Sequence, residues 1–347
     1  MSVTHKAALV AAVLTAGTLA VASTAAADPV ADFYNGKKIT LIVGSDAGGG
    51  YDANARLMSR HMSRFIPGNP MLVVQNMPGA GSFLAANNVY NLAPKDGTTM
   101  GLVQRTILSA NVTHQNGAHF DVAKFSWIGN LANEISLFLA WHDAPVKTAQ
   151  DMFTKEFIMG GGGPTSDSEV QARMLNALLG TKIKIVSGYP GQAQIQLAME
   201  RGEVQGMVGL DWDGVKSSKG DWVRDKKIRM LMQIAQTRAP DLPDVPTVLD
   251  FARTPADRQV LELFLGRQKY ARPFAAPPGL PDAVVAALRD GFAKVAQDVD
   301  FIREATAAHS PINYVPGEEV DALAQRIYAS PPELIQRAAQ ELAKANE

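Results

Sequence analysis

Two glycine runs and one arginine are the residues of this sequence best suited to chemistry, and the chemistry they suit is holding an anion. Gly48-Gly49-Gly50 leads into Tyr51 and Asp52, and Gly160-Gly161-Gly162-Gly163 leads into Pro164-Thr165-Ser166. Consecutive glycines let the backbone turn sharply and bring its own N–H groups against a ligand with no Cβ in the way. Arg105, followed by Thr106, has a planar fork that can grip a carboxylate through two parallel hydrogen bonds. The same fork can instead pair with an acidic loop residue such as Asp46, and glycine turns after strands also occur for packing alone. Both alternatives stay open on the residues themselves.

These groups need elements to position them. Ile39–Val43 is short, apolar and β-branched, as a strand buried on both faces is. It runs into the first glycine loop, Asp52 offers an N-cap, and Leu57, Met58, Met62 and Phe65 follow at helical spacing. The loop therefore sits at a helix N-terminus, where orphan N–H groups and the helix dipole favour negative charge. A second unit follows, with strand 71–74, loop 76–81 and a helix opening at Ser82, and a third strand, 99–103, delivers Gln104, Arg105 and Thr106 to the same sheet edge. The plan returns later. Strand 157–159 feeds the second glycine run and a helix carrying Val170, Met174, Leu175 and Leu178, and strand 183–186 feeds Ser187-Gly188-Tyr189-Pro190-Gly191. Gly50 to Gly79 spans 29 residues and Gly163 to Gly191 spans 28. The fold class expected is α/β, with two doubly wound α/β lobes around a cleft and glycine loops at the carboxyl ends of parallel strands.

Further along, 206–210 and 228–235 read as strands, 216–227 as a charged, helix-poor stretch, and 238–247, with three prolines, as an irregular connection. Amphipathic helical patterns cover 256–265, 282–297 and 318–342. Residues 272–275 and 312–314 read as strands.

The chain begins with Lys6 as the only charge among residues 1–27, an apolar run from Ala7 to Val21, and Ala25-Ala26-Ala27 as a small-residue cleavage site. This is the pattern of a secretory signal peptide, and the run is shorter than the roughly 20 residues a spanning helix needs. The expected mature protein starts at Asp28 in the periplasm. It holds 32 Lys and Arg (the 33 of the whole chain less Lys6) against 34 Asp and Glu, a net charge of −2. Near-neutrality argues against a nucleic-acid or anionic-membrane surface. There is no cysteine, hence no disulfide and no lipid anchor through an N-terminal cysteine.

Catalytic readings fare poorly. No Gly-x-Ser-x-Gly elbow is present. The histidines, at 5, 61, 114, 119, 142 and 309, contain no pair at metal-ligand helical spacing. Gly48-x-Gly50-x-x-Ala53 after a strand matches a dinucleotide fingerprint in form, but Gln75 and Asn76 stand where the ribose-binding acid belongs. An exported dinucleotide-dependent enzyme is a distant alternative; no catalytic residue, metal or cofactor is expected.

Lys38-Ile39-Thr40-Leu41-Ile42-Val43, the glycine loop closing on Asp52, Gln75-Asn76-Met77-Pro78-Gly79-Ala80-Gly81-Ser82 and Ala93-Pro94-Lys95-Asp96-Gly97-Thr98-Thr99 resemble the periplasmic receptors of tripartite tricarboxylate transporters, the Bug proteins. Tyr189-Pro190-Gly191-Gln192-Ala193, Leu242-Pro243-Asp244-Val245-Pro246-Thr247 and the segment 274–281 are similar to the family's later motifs. The resemblance implies a solute-binding protein of periplasmic-binding-protein-like fold whose lobes close on a small organic carboxylate. It implies a second lobe at 131–247 inserted into a first lobe made of 28–130 and 248–347. Carried over from it as carboxylate-gripping residues are Gly48, Gly49, Gly50 and the loop Gly162 to Ser166; with the residues placed beside those loops in the sequence, the expected ligand-binding set is Gly48, Gly49, Gly50, Tyr51, Asp52, Arg105, Thr106, Gly162, Gly163, Thr165, Ser166, Tyr189, Gly191, Asp211 and Trp212. Integral-membrane transporter subunits are the implied partners of a monomer, with a membrane sensor as the alternative. The chain departs from the family pattern where Asp46, Gly50 and Tyr51 enter the first loop, at Gln104-Arg105-Thr106, at Asp211-Trp212-Asp213, and at 250–269, which reads as an insertion.

Overall fold

In the computed structural model, residues 28–111, 117–133, 135–308, 310 and 312–344 are described. The segment 1–27 expected to be a signal peptide, and His5, His114 and His309, lie outside them.

Two mixed sheets form the framework. The strands in chain order are β1 (Lys38–Val43), β2 (Met71–Asn76), β3 (Thr99–Leu102), β4 (Ser126–Asn130), β5 (Ser136–Trp141), β6 (Phe157–Gly160), β7 (Ile183–Val186), β8 (Gly206–Asp211), β9 (Ile228–Ile234), β10 (Pro273–Ala276) and β11 (Val315–Pro316). One sheet has the order β11-β4-β10-β3-β1-β2 and the other β7-β6-β8-β5-β9. In the first, β1 lies parallel between β2 and β3, with Ile39 opposite Leu72 and Leu41 opposite Met100. In the second, β6 lies parallel between β7 and β8. Antiparallel strands complete each sheet. The two parallel triplets thus share one local order, which is the repeat expected from the spacing of the glycine loops.

The helices are α1 (Pro29–Tyr34), α2 (Gly50–His61), α3 (Phe83–Asn91), α4 (Asp167–Leu179), α5 (Gln192–Glu200), α6 (Trp212–Ser218), α7 (Gly220–Arg224), α8 (Pro255–Leu265), α9 (Asp282–Gln297), α10 (Val299–Ala307), α11 (Gly317–Tyr328) and α12 (Pro332–Lys344). They cover both faces of both sheets, so central strands are apolar without alternation. In β1, Ile39, Leu41 and Val43 enter the layer holding Met58 and Phe292, while Ile42 enters the layer of Phe83, Val89 and Trp127. The second sheet buries Phe138 against Phe157 on one face and Trp141 against Trp222 on the other.

Three local expectations are corrected. The charged stretch 216–227 is not helix-poor: 216–218 end α6 and 220–224 form α7, with Asp211 capping α6 and the Trp222 indole folded onto Trp141. Instead of a strand at 312–314, β11 pairs with β4 from Val315. The return segment 248–347 is shared between the sheets. β10, β11, α9, α10 and α11 serve the first, whereas Val260, Leu261, Phe264 and Leu265 of α8 and Ala338 of α12 join the core around α4 and the second sheet.

Candidate functional site

The loops leaving the parallel strands of both sheets enclose a cavity of about 530 Å³. One wall is built from 44–51, 78–81, Gln104 and Arg105, the other from Gly162, 166–168, 188–195, Gly209 and Asp211, with Arg272 completing it. This is the crevice outside the carboxyl ends of strands where open α/β sheets gather ligands.

One hydroxyl fixes the first wall. Ser82 Oγ donates to the Gly44 carbonyl at 2.7 Å and accepts the Gln104 N–H at 3.0 Å, tying the exit of β1 to that of β3. A Cβ on Gly44 would stand 2.3 Å from that oxygen, so the position requires glycine.

Each glycine run is held from behind by an acid at the third position of the following helix, the place from which an acidic side chain reaches back to free amides. Asp52 Oδ2 accepts the Gly48 N–H at 2.9 Å, and Arg56 Nε and Asn76 Nδ2 donate to the same carboxylate at 2.9 and 3.0 Å. Burial works to raise the Asp52 pKa, but the bonds from Arg56, Gly48 and Asn76, with the Arg56 charge, bring it below the ordinary carboxylate value. In the other lobe Glu169 holds the second glycine run, accepting the Gly163 N–H at 2.6 Å and the Ser187 hydroxyl at 2.5 Å, while Ser168 Oγ takes the Gly162 N–H at 3.4 Å. Asp52 is therefore not the N-cap of α2, which is Gly49.

What these clamps leave open differs from the expectation of two glycine loops facing a ligand. The loop 162–166 spends its Gly162 and Gly163 amides on the protein itself, and α4 is capped by the Ser166 hydroxyl. Of the helices without a side-chain cap, α3, α7, α9 and α11 do not start at the cavity wall, and two open on the cavity: α2, entered through Gly49, and α5, entered through Gly191. Their first-turn N–H groups have no partner within the helix. Both N-termini line the cavity, from opposite lobes.

Arg105 is only 3% exposed. Its Nε and Nη2 lie 2.9 and 2.7 Å from Asp167 Oδ2, and Nη2 donates to Ser136 Oγ at 2.9 Å, so its acidic partner is Asp167 rather than Asp46. Arg267 Nη2 approaches the other Asp167 oxygen at 3.4 Å and Nη1 reaches Ser109 Oγ at 3.0 Å. Burial pushes the Arg267 pKa down to about 10, with Asp167 opposing the shift and Arg105 adding to it. The two lobes also touch through backbone. Gly81, at φ +60°, packs so closely that a Cβ would lie 2.2 Å from the Thr165 carbonyl oxygen.

Of the residues expected to bind ligand, Gly48, Gly49, Gly50, Tyr51, Arg105, Gly162, Ser166, Tyr189, Gly191 and Asp211 line the cavity. Asp52, Thr106, Gly163, Thr165 and Trp212 stand outside its wall. Asp52 and Gly163 belong to the clamps, Thr106 is fully buried, and Trp212 donates from Nε1 to Asp241 at 2.9 Å. Asp211 caps α6 by accepting the Gly214 N–H at 2.9 Å. The sequence reading did not single out Arg272, Asp167 or Gln192 to Gln194. An uncapped helix start after Tyr189-Pro190-Gly191 could have marked the last three; Arg272 has no local signal.

Among the described residues, no group of three or more His, Asp or Glu is placed to hold a metal ion, and no helix is long and apolar enough to cross a membrane.

Residues 55–336 match the family model described as the tripartite tricarboxylate transporter family receptor. The UPF0065 protein in the TAR-I ttuE-ttuC' intergenic region of Agrobacterium vitis is 28% identical over 225 residues, 62% of this chain and 62% of that one, so the chain spans less than two thirds of that relative. In fold the chain is similar to MatC of Rhodopseudomonas palustris, solved with bound malate, at TM-score 0.66 and 23% identity over 88% of this chain and 99% of that one. It is similar also to a second protein of that organism, solved with adipate, at TM-score 0.65 and 19% identity over 88% of this chain and 97% of that one.

Proposed function

The chain belongs to the tripartite tricarboxylate transporter receptor family, a family of solute-binding receptors rather than enzymes, and from that premise we propose that it captures a small organic carboxylate in the cavity between its sheets and delivers it to integral-membrane transporter subunits. The observation that carries the carboxylate is the pair of uncapped N-termini, α2 and α5, brought from opposite lobes to one cavity. Each presents donors already aimed at an anion, and neither needs a charged side chain to hold it. The guanidinium of Arg272, whose Nη2 comes within 3.5 Å of where a Gly50 Cβ would be, adds charge beside the α2 terminus. The malate and adipate held by the two fold relatives are of the same ligand class.

The proposed ligand residues are those of the wall: Gly49, Gly50 and Arg272 on one side, Gly191 and Gln192 on the other, with Arg105 at the junction. The proposed compartment is the periplasm, reached through cleavage near Ala27. N-terminal sequencing of exported protein should read from Asp28, and an intact Met1 would contradict that.

A thermal-shift screen of dicarboxylates, tricarboxylates, aromatic acids and amino acids tests the function. A ligand at 100 times its dissociation constant adds about 2.7 kcal/mol of stability. The expected outcome is stabilisation by at least one acid, recovered unchanged after incubation. No stabilisation by any acid, or turnover of the one bound, would refute the reading.

A further inference from the structure

Five side chains that carry charge at neutral pH line the cavity: Asp46, Arg105, Asp167, Asp211 and Arg272. Together they sum to −1, an unexpected balance for a site that takes only anions. Arg105 and Asp167 neutralise each other at 2.7 Å, and Asp211 is turned to the amino end of α6. Asp46 is different. It makes no hydrogen bond or ion pair within the described residues, it is partly exposed to the cavity, and its Oδ2 lies 3.4 Å from where a Cβ on Gly191 would be. A carboxylate thus reaches across from the β1 loop to the opposite lobe, while the Arg272 guanidinium lies at the Gly50 end of the same wall.

We propose that Asp46 selects a ligand carrying a protonated amine, so that the receptor takes amino acids in preference to plain dicarboxylates. This rests on the carboxylate reading above and names the class within it. The carboxylate of the ligand sits at the α2 N-terminus and Arg272. Its ammonium group, next to that carboxylate, faces Asp46, where three N–H donors meet an acceptor-only side chain. A plain diacid placed the same way brings nothing to satisfy Asp46 and sets like charge against it, a repulsive element that excludes the wrong ligand.

The test is calorimetry with three matched pairs, succinate and aspartate, glutarate and glutamate, adipate and 2-aminoadipate, on the unmodified mature protein and on Asp46→Asn. Asparagine preserves shape, and Asp46 has no bond to lose, so the unfolding midpoint without ligand should be unchanged. The proposal expects at least one amino member to bind about tenfold or more tightly than its plain partner, and Asp46→Asn to lower that ratio by at least about tenfold. If the plain diacids bind as well or better and the substitution leaves the ratio unchanged, the selectivity is overturned and the carboxylate reading stands. A preference for the amine that survives Asp46→Asn overturns the assignment to Asp46. If neither protein binds any of the six, the carboxylate reading for these acids falls and the inference falls with it.

Discussion

Arg105 Nη2 lies 2.7 Å from Asp167 Oδ2, which joins the residue leaving β3 in one sheet to the first residue of α4 beside the other. Arg105 is buried and Asp167 largely covered, at 3% and 13% side-chain exposure, so solvent screening of the pair is reduced. Removing one partner of such a pair strands the other, at a typical cost of about 3 to 5 kcal/mol, although Arg267 at 3.4 Å softens the loss here. Arg105→Ala should therefore lower stability without ligand by about 3 kcal/mol and weaken ligand binding by more than tenfold, because the clamp spans the two lobes. Urea unfolding and calorimetry measure the two effects. Asp167→Asn should match the stability loss, and the double substitution should cost less than the sum. Unchanged stability in both single variants would mean that the pair does not form in solution.

Gly81 and Thr165 set a limit on how the lobes meet. Gly81 has φ +60°, and an added Cβ would reach 2.2 Å from the Thr165 carbonyl oxygen. Alanine there costs about 1 to 2 kcal/mol in backbone strain and cannot lie against Thr165 without forcing the walls apart. Gly81→Ala should hold the lobes open. Small-angle scattering should give a larger radius of gyration than for the unmodified protein, with ligand affinity reduced at least about tenfold. The same radius and affinity would show that 79–82 moves freely enough to absorb the methyl group.

Asp52 gives the glycine loop a pH limit. Its pKa is lowered in the folded protein, since the bonds from Gly48, Arg56 and Asn76 outweigh burial. A depressed carboxylate contributes stability that is fully present above its unfolded pKa and is lost as pH falls through the folded value. The Gly48 amide should therefore stay protected from exchange down through pH 5 and lose protection only in stronger acid. Asp52→Ala, which removes every acceptor of the clamp, should abolish that protection at neutral pH and cost about 2 kcal/mol, the scale of hydrogen bonds to a charged group. Amide exchange by NMR reads both, and an exchange rate for Gly48 that ignores the substitution would discount the clamp.

How much of this was legible in the sequence follows from the range of the signal. The triplets β2-β1-β3 and β7-β6-β8 come from apolar runs and glycine punctuation a few residues apart, so they and their loops could be read directly. The capping acids could be read less well: Asp52 and Glu169 both fall at the third helical position, but only the structure shows that they reach back to Gly48 and Gly163 and so occupy the amides otherwise assigned to a ligand. Helices α6 and α7 were hidden because the lysines of 216–227 dominate the composition, whereas one contact, Trp222 on Trp141, decides the local fold. Arg272 was out of reach altogether. It enters the cavity because β10 inserts between β3 and β4, a pairing across more than 140 residues that no local pattern encodes.

The amide donors of α5 can be tested without touching a charge. Gln192 is the first residue of the helix, a position where proline is well tolerated because its missing N–H has no intrahelical partner. The preceding Gly191 is extended, at φ −167° and ψ 177°, which suits the residue before a proline. Gln192→Pro therefore deletes one N–H from the cavity wall and leaves the helix intact. It also removes the bond from Gln192 Nε2 to the Gly209 carbonyl at 2.8 Å, so Gln192→Ala, which loses only that bond, is the reference. A hydrogen bond to a carboxylate contributes about 1.5 to 3 kcal/mol, and each 1.4 kcal/mol is tenfold in affinity. Gln192→Pro should bind the acid found in the thermal-shift screen roughly tenfold or more weakly than Gln192→Ala, with closely similar unfolding midpoints without ligand. Equal affinities would remove the α5 terminus from the site and leave the α2 terminus and Arg272 to hold the carboxylate.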